Sequence, residues 1–105
     1  MVLLKITYRL RAHHMAEFEQ IFQAQIMPLA QAYQLHCQGL WRTLVGDVGE
    51  SLELLEFASL AEFDVQWRKL FADVRLQEIF KTTGPMVEAE KFTLLEPVGK
   101  IAVPE

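Results

Sequence analysis

Three groupings of side chains could do chemistry. His13 and His14 are adjacent, as are His36 and Cys37. Imidazole and thiolate are common metal ligands, and imidazole is a common proton carrier. Adjacency argues against that use. Neighbours diverge by about 100° on a helix and point to opposite faces on a strand. A helical ligand pair needs the i, i+4 spacing of H-E-x-x-H, which neither pair has. Both are therefore read structurally, the first as the turn from a strand to a helix and the second as the end of a helical region; no metal is assigned. The third grouping is Tyr8, Arg42 and Glu56. If the strands carrying Arg42 and Glu56 form a hairpin about residues 46–50, Glu56 lies diagonal to Arg42 on the face of Leu52 and Leu54. A carboxylate on an apolar face needs a partner or a raised pKa. Glu56 is thus a candidate general base, with Arg42 and Tyr8 orienting an acidic or enolic ligand. Trp67, Trp41 and Phe63 are candidate pocket residues. The plainer alternatives are an Arg–Glu pair at the rim of a core and aromatic packing.

The elements that must position these residues follow from periodicity. Over residues 2–11, Val2, Leu4, Ile6, Tyr8 and Leu10 alternate with Leu3, Lys5, Thr7, Arg9 and Arg11, a strand pattern. From Met15 the spacing changes to three or four: Phe18, Phe22, Ile26, Leu29 and Tyr33 complete one helical stripe. Pro28 should kink that helix, and Gly39 reads as the next break. Strand-like runs at 40–45 and 51–58 flank a link with two glycines and an aspartate, a hairpin signal. Ser59 with Glu62 three residues on is a capping box opening a second helix, whose apolar face is Phe63, Trp67, Leu70 and Phe71. A further helical piece at 74–81 ends before Gly84-Pro85. A last strand at 87–96 stops at Pro97, and 98–105 reads as an extended arm.

The order strand, helix, strand, strand, helix, strand predicts an α+β, ferredoxin-like βαββαβ fold: a four-stranded antiparallel sheet with its helices on one face. The third strand is apolar on both sides, with Leu52 and Leu54 opposite Leu55 and Phe57. Helices on one face leave the other uncovered, whereas an antiparallel sheet normally wets one side. A second copy packed sheet to sheet resolves this, so a homodimer is expected.

Composition sets the bounds. The 105 residues suit a single domain, 1–105, with one core. Hydrophobic content of 51% excludes a disordered chain, and a net charge of −4 with scattered Lys and Arg argues against nucleic acid. One cysteine allows no internal disulfide or four-cysteine zinc site. No apolar run approaches the ~20 residues of a membrane span, and the alternating N-terminus reads as a strand rather than a signal peptide. A cytoplasmic setting is expected.

Several short stretches resemble the NIPSNAP family. They are Thr7-Tyr8, Met15-Ala16-Glu17-Phe18, Pro28-Leu29, Gly39, Trp41, Gly46, the run from Leu55 to Glu62, then Asp73, Gln77, Phe80, Pro85 and Leu94-Leu95-Glu96-Pro97. The likeness covers nearly the whole chain. It implies a dimeric α/β barrel with a cleft between sheet and helices in each subunit. The wider superfamily includes haem-degrading monooxygenases, cofactor-independent monooxygenases and lactone isomerases. Trp67 is similar to a haem-branch residue, but that branch also uses an asparagine and a later histidine; this chain has no asparagine and no histidine after His36. No cofactor is expected. The chain also differs from the family pattern at Ile6, Leu55, Val74 and Leu76, where an arginine, a tryptophan, a proline and a tryptophan are frequent. Three functions follow as expectations: binding of a small hydrophobic or aromatic ligand in the cleft, cofactor-independent monooxygenase or isomerase activity, or a purely structural role.

Overall fold

The computed structural model describes residues 1–99, so most of the proposed arm at 98–105 lies outside the described residues. Strands β1 (Val2–Leu10), β2 (His36–Arg42), β3 (Glu50–Phe57) and β4 (Val87–Leu95) form one antiparallel sheet in the order β2-β3-β1-β4. Period-two alternation sets its two faces. Leu4, Ile6, Tyr8 and Leu10 of β1, with Leu55 and Phe57 of β3, are buried together. Phe18 and Phe22 of the first helical region and Phe63 and Trp67 of the second pack on that same face. The ferredoxin-like arrangement read from the sequence is the observed fold.

The first helical region is continuous but uneven: α1 (Met15–Ile21), a wide turn (Phe22–Ile26) and α2 (Met27–Ala32). Pro28 lacks an N–H and would collide with the carbonyl four residues back in a regular helix. The chain absorbs this by widening just before the proline, where the Met27 N–H donates to the Phe22 carbonyl five residues earlier. The widening lets Phe18, Phe22 and Leu29 all remain buried.

Gly39 does not end an element. It lies within β2 at φ 95°, where the register to β3 shifts between Cys37 and Leu40. The shift is a bulge in which glycine supplies a left-handed backbone. It starts the strand earlier than the expected 40–45 run, and residues 43–49 form the hairpin loop.

Ser59 caps α3 (Leu60–Phe71), its hydroxyl accepting from the Glu62 N–H at 3.1 Å. Asp73 caps α4 (Val74–Thr83) by accepting from the Arg75 N–H at 2.8 Å. The Tyr33 hydroxyl also donates to Asp73 at 2.7 Å, tying the end of α2 to the start of α4. On the sheet's other face, Leu3, Leu52 and Leu54 are half-buried and Trp41 is 56% exposed.

Candidate functional site

A cleft opens between the sheet and the three later helices. Its floor is built from alternate residues of three strands: Ile6 and Tyr8 of β1, Glu53 and Leu55 of β3, Glu90 and Phe92 of β4. Antiparallel register places these together, because Ile6 is opposite both Glu53 and Phe92, and Tyr8 is opposite Glu90. Leu29, Trp67, Phe71, Leu76 and Phe80 from the helices make the walls. The enclosed cavity is small, about 50 Å³. One water needs roughly 10–15 Å³ of such space, so the cavity holds the head of a ligand rather than a whole drug-sized molecule.

Glu53 is the chemically distinctive residue of the floor. It is 5% exposed, yet no cation among the described residues partners its carboxylate. The Tyr8 hydroxyl donates to Oε1 at 2.7 Å, and the Cys37 thiol donates to Oε2 at 3.8 Å. Burial disfavours the ionised carboxylate and pushes Glu53 up to about 7, against the pull of these two donors. Burial and the neighbouring Glu53 raise Cys37 to about 11 and Tyr8 well above its ordinary value, so both keep their protons at neutral pH. Glu90, at the open side of the floor, is raised by partial burial.

The structure separates the residues expected to work together. Tyr8 and Trp67 do line the cleft. Glu56 does not, because β3 alternates and Glu56 shares the outer face with Leu52 and Leu54, opposite Leu3 of β1 and His36 of β2. The carboxylate beside Tyr8 is Glu53, three residues away and on the other face. Arg42 points away from the cleft, its guanidinium bonding the Glu19 carboxylate of α1 through Nε at 2.9 Å. Trp41 lies opposite Leu52 on the outer face. Phe63 packs between Phe57 and Trp67, at ring-centroid distances of 5.1 and 5.6 Å, and supports the wall from behind. His13 and His14 sit in a short turn (Ala12–His14) with centroids 4.1 Å apart, and His14 lies 3.5 Å from Glu17. His36 and Cys37 stand on β2 rather than at a helix end, on opposite faces. Among the described residues, no three His, Cys, Asp or Glu side chains converge as a metal site.

The separation of Glu53 from Glu56 was nonetheless legible in the sequence. Counting back by twos from Phe57 and Leu55 puts Glu53 on their face of β3 and Glu56 on the other, and only the packing of the helices decides which of the two is the core face. Glu90 and Phe92 carry no such signal, since their strand mixes polar and apolar residues on both sides.

The family model for NIPSNAP matches residues 4–100. The chain belongs to the NIPSNAP family. Solved structures agree on the fold. An uncharacterized NIPSNAP domain protein from Burkholderia xenovorans is 22% identical with a TM-score of 0.87, covering 100% of both chains. A NIPSNAP family protein from Agrobacterium tumefaciens is 18% identical with a TM-score of 0.88, covering 98% of both. A proposed antibiotic biosynthesis monooxygenase from Deinococcus radiodurans is more distant in shape, with 19% identity and a TM-score of 0.68 over 100% of both chains. No curated protein matches the chain. In this NIPSNAP chain, Ile6, Leu55 and Leu76 all line the cleft. Among the described residues, Glu53 and Glu90 are the charged ones that line it.

Proposed function

We propose that this NIPSNAP protein binds a small hydrophobic or aromatic ligand in the sheet–helix cleft, anchored at Glu53. The observation that carries this reading is a buried carboxyl, hydrogen-bonded to Tyr8, at the floor of an aromatic cleft. Burying such a group is costly, and an apolar residue would serve a purely structural sheet better. Perturbed carboxyls in concave sites are a recurrent mark of function. The test uses the Trp41→Phe variant, in which Trp67 alone reports on the cleft. Small aromatic compounds should change its fluorescence saturably, and native mass spectrometry of freshly purified protein should show any retained ligand. A cleft that takes up none of them at millimolar concentration would remove this reading.

The proton affinity of Glu53 supports a second reading, cofactor-independent monooxygenase or isomerase chemistry. A carboxyl titrating near 7 is suited to accept a proton at neutral pH, and Tyr8 would steady it. Fold likeness to a proposed monooxygenase does not carry activity across. Turnover decides: a Glu53→Gln variant with full activity on a confirmed substrate would exclude the base.

The apolar outer face formed by Leu3, Leu52, Leu54 and Trp41 supports a homodimer packed sheet to sheet. Light scattering at micromolar concentration should give twice the chain mass; the chain mass alone would refute it. No helix among the described residues is long and apolar enough to cross a membrane. With the acidic composition and lone cysteine, a cytoplasmic location is our reading, checked by fractionation.

A further inference from the structure

We propose that the cleft selects a positively charged ligand: an amine with a compact ammonium head lodged against Glu53 and an aromatic or alkyl body resting on Phe71, Phe80 and Phe92. This rests on the cleft-binding reading above and goes on to name the charge of the ligand.

Charge is the first argument. Among the described residues, the charged ones lining the cleft are Glu53 and Glu90, and no Lys, Arg or His joins them. A carboxylate ligand would meet two like charges in a poorly solvated space, which costs free energy in the manner of any unpaired buried charge. A neutral hydroxyl can donate to Glu53, but it compensates neither carboxylate. An ammonium does both, with several donors and a full opposite charge.

The walls supply the second argument. Trp67 stands 4.6 Å from Phe71 and 5.9 Å from Phe92, and Phe71 stands 5.7 Å from Phe80, in ring-centroid distances. Aromatic rings attract cations through their electron-rich faces, most strongly where water is excluded. Size agrees. The cavity of about 50 Å³ accepts a small head, while Phe71, Phe80 and Phe92 are 39%, 40% and 49% exposed and can receive the body outside.

Ionisation of Glu53 couples to this binding. The titratable groups facing it are Tyr8 from β1, Cys37 from β2 and Glu90 from β4; the helices contribute only apolar residues to the cleft. Tyr8 and Cys37 stay protonated, so Glu53, pushed up to about 7, is the group whose charge changes near neutrality, with Glu90 raised by partial burial beside it. An ammonium binds the ionised form, whose share rises about tenfold between pH 6 and pH 8 for a group titrating near 7.

The experiment compares three probes of one shape on the full-length Trp41→Phe chain: phenethylammonium, phenethyl alcohol and phenylacetate. At pH 8 the amine should bind at least tenfold more tightly than the alcohol, and the acid should not bind. Amine affinity should fall severalfold or more at pH 6 while alcohol affinity holds. Glu53→Gln should erase the amine preference and keep alcohol binding. If that variant does not fold, the pH dependence of the amine in the parent decides. Alcohol binding as tight as amine binding, or a preference that survives Glu53→Gln, overturns the inference and leaves the cleft reading intact. Failure of all three probes overturns both.

Discussion

Tyr8 and Glu53 meet on the helix-covered face of the sheet, with the tyrosine hydroxyl 2.7 Å from the carboxylate although 45 residues separate them. They are diagonal neighbours, because β1 and β3 pair Ile6 with Glu53 and Tyr8 with Ser51. The hydrogen bond favours the charged carboxylate and burial opposes it, and burial dominates. The central strands therefore hold a buried, titratable carboxyl within the core.

Stability should carry the mark of that site. Folded Glu53 titrates near 7, against an ordinary value of 4.5, so the folded protein holds this proton more tightly. Its contribution is fully present below about pH 4.5 and is lost as pH rises through 7. The difference is roughly 3 kcal/mol. Urea unfolding at pH 5 and pH 8 should show Glu53→Gln gaining stability relative to the parent by most of that amount. Parallel pH dependence in the two proteins would contradict the assignment.

Tyr8→Phe should raise the Glu53 midpoint further. Hydrogen bonds to charged groups are worth about 1.5–3 kcal/mol, so a rise of about one to two pH units is expected. Carboxyl carbon chemical shifts followed through a pH titration measure it directly. An unchanged midpoint would mean the hydroxyl does not stabilise the carboxylate.

Arg42→Ala should leave ligand affinity unchanged. Its guanidinium is exposed and bonds Glu19 on α1, away from the cleft. Exposed ion pairs contribute little, so the melting temperature should also move little. A large loss of binding in this variant would restore Arg42 to the site.

Gly39→Ala tests the bulge. No atom lies within 4 Å of an added Cβ, so the cost comes from the φ of 95° alone. About 1–2 kcal/mol of destabilisation is expected by equilibrium unfolding. A neutral substitution would show that β2 can drop the bulge.

Leu54→Glu puts a charge on the outer face, where Leu54 pairs with Lys5. If two sheets pack together there, sedimentation should show the variant as a monomer at concentrations where the parent is dimeric. The cleft should keep its ligand affinity, because successive side chains of a strand point to opposite faces and Leu54 points away from it.

Much of the fold was legible because its signals are local. The alternation of β1, the stripe from Phe18 to Leu29 and the Ser59 cap each depend on residues a few positions apart. Gly39 reads as a break before the strand at 40–45 because a glycine that precedes a strand and one that bulges it look alike in sequence. Pro28 pointed to irregularity, but not to a turn that widens and lets the helix continue.

The site divides in the same way. Sequence alone determined that β3 has two apolar faces and that Glu53 and Glu56 lie on opposite ones, since side chains along a strand alternate. Which of those faces the helices cover was decided by tertiary structure. That choice depends on contacts among β1, β3 and helices tens of residues apart, and no local pattern encodes it. It buries Glu53 beside Tyr8 and leaves Glu56 outside, because only one face of a sheet can receive the helices.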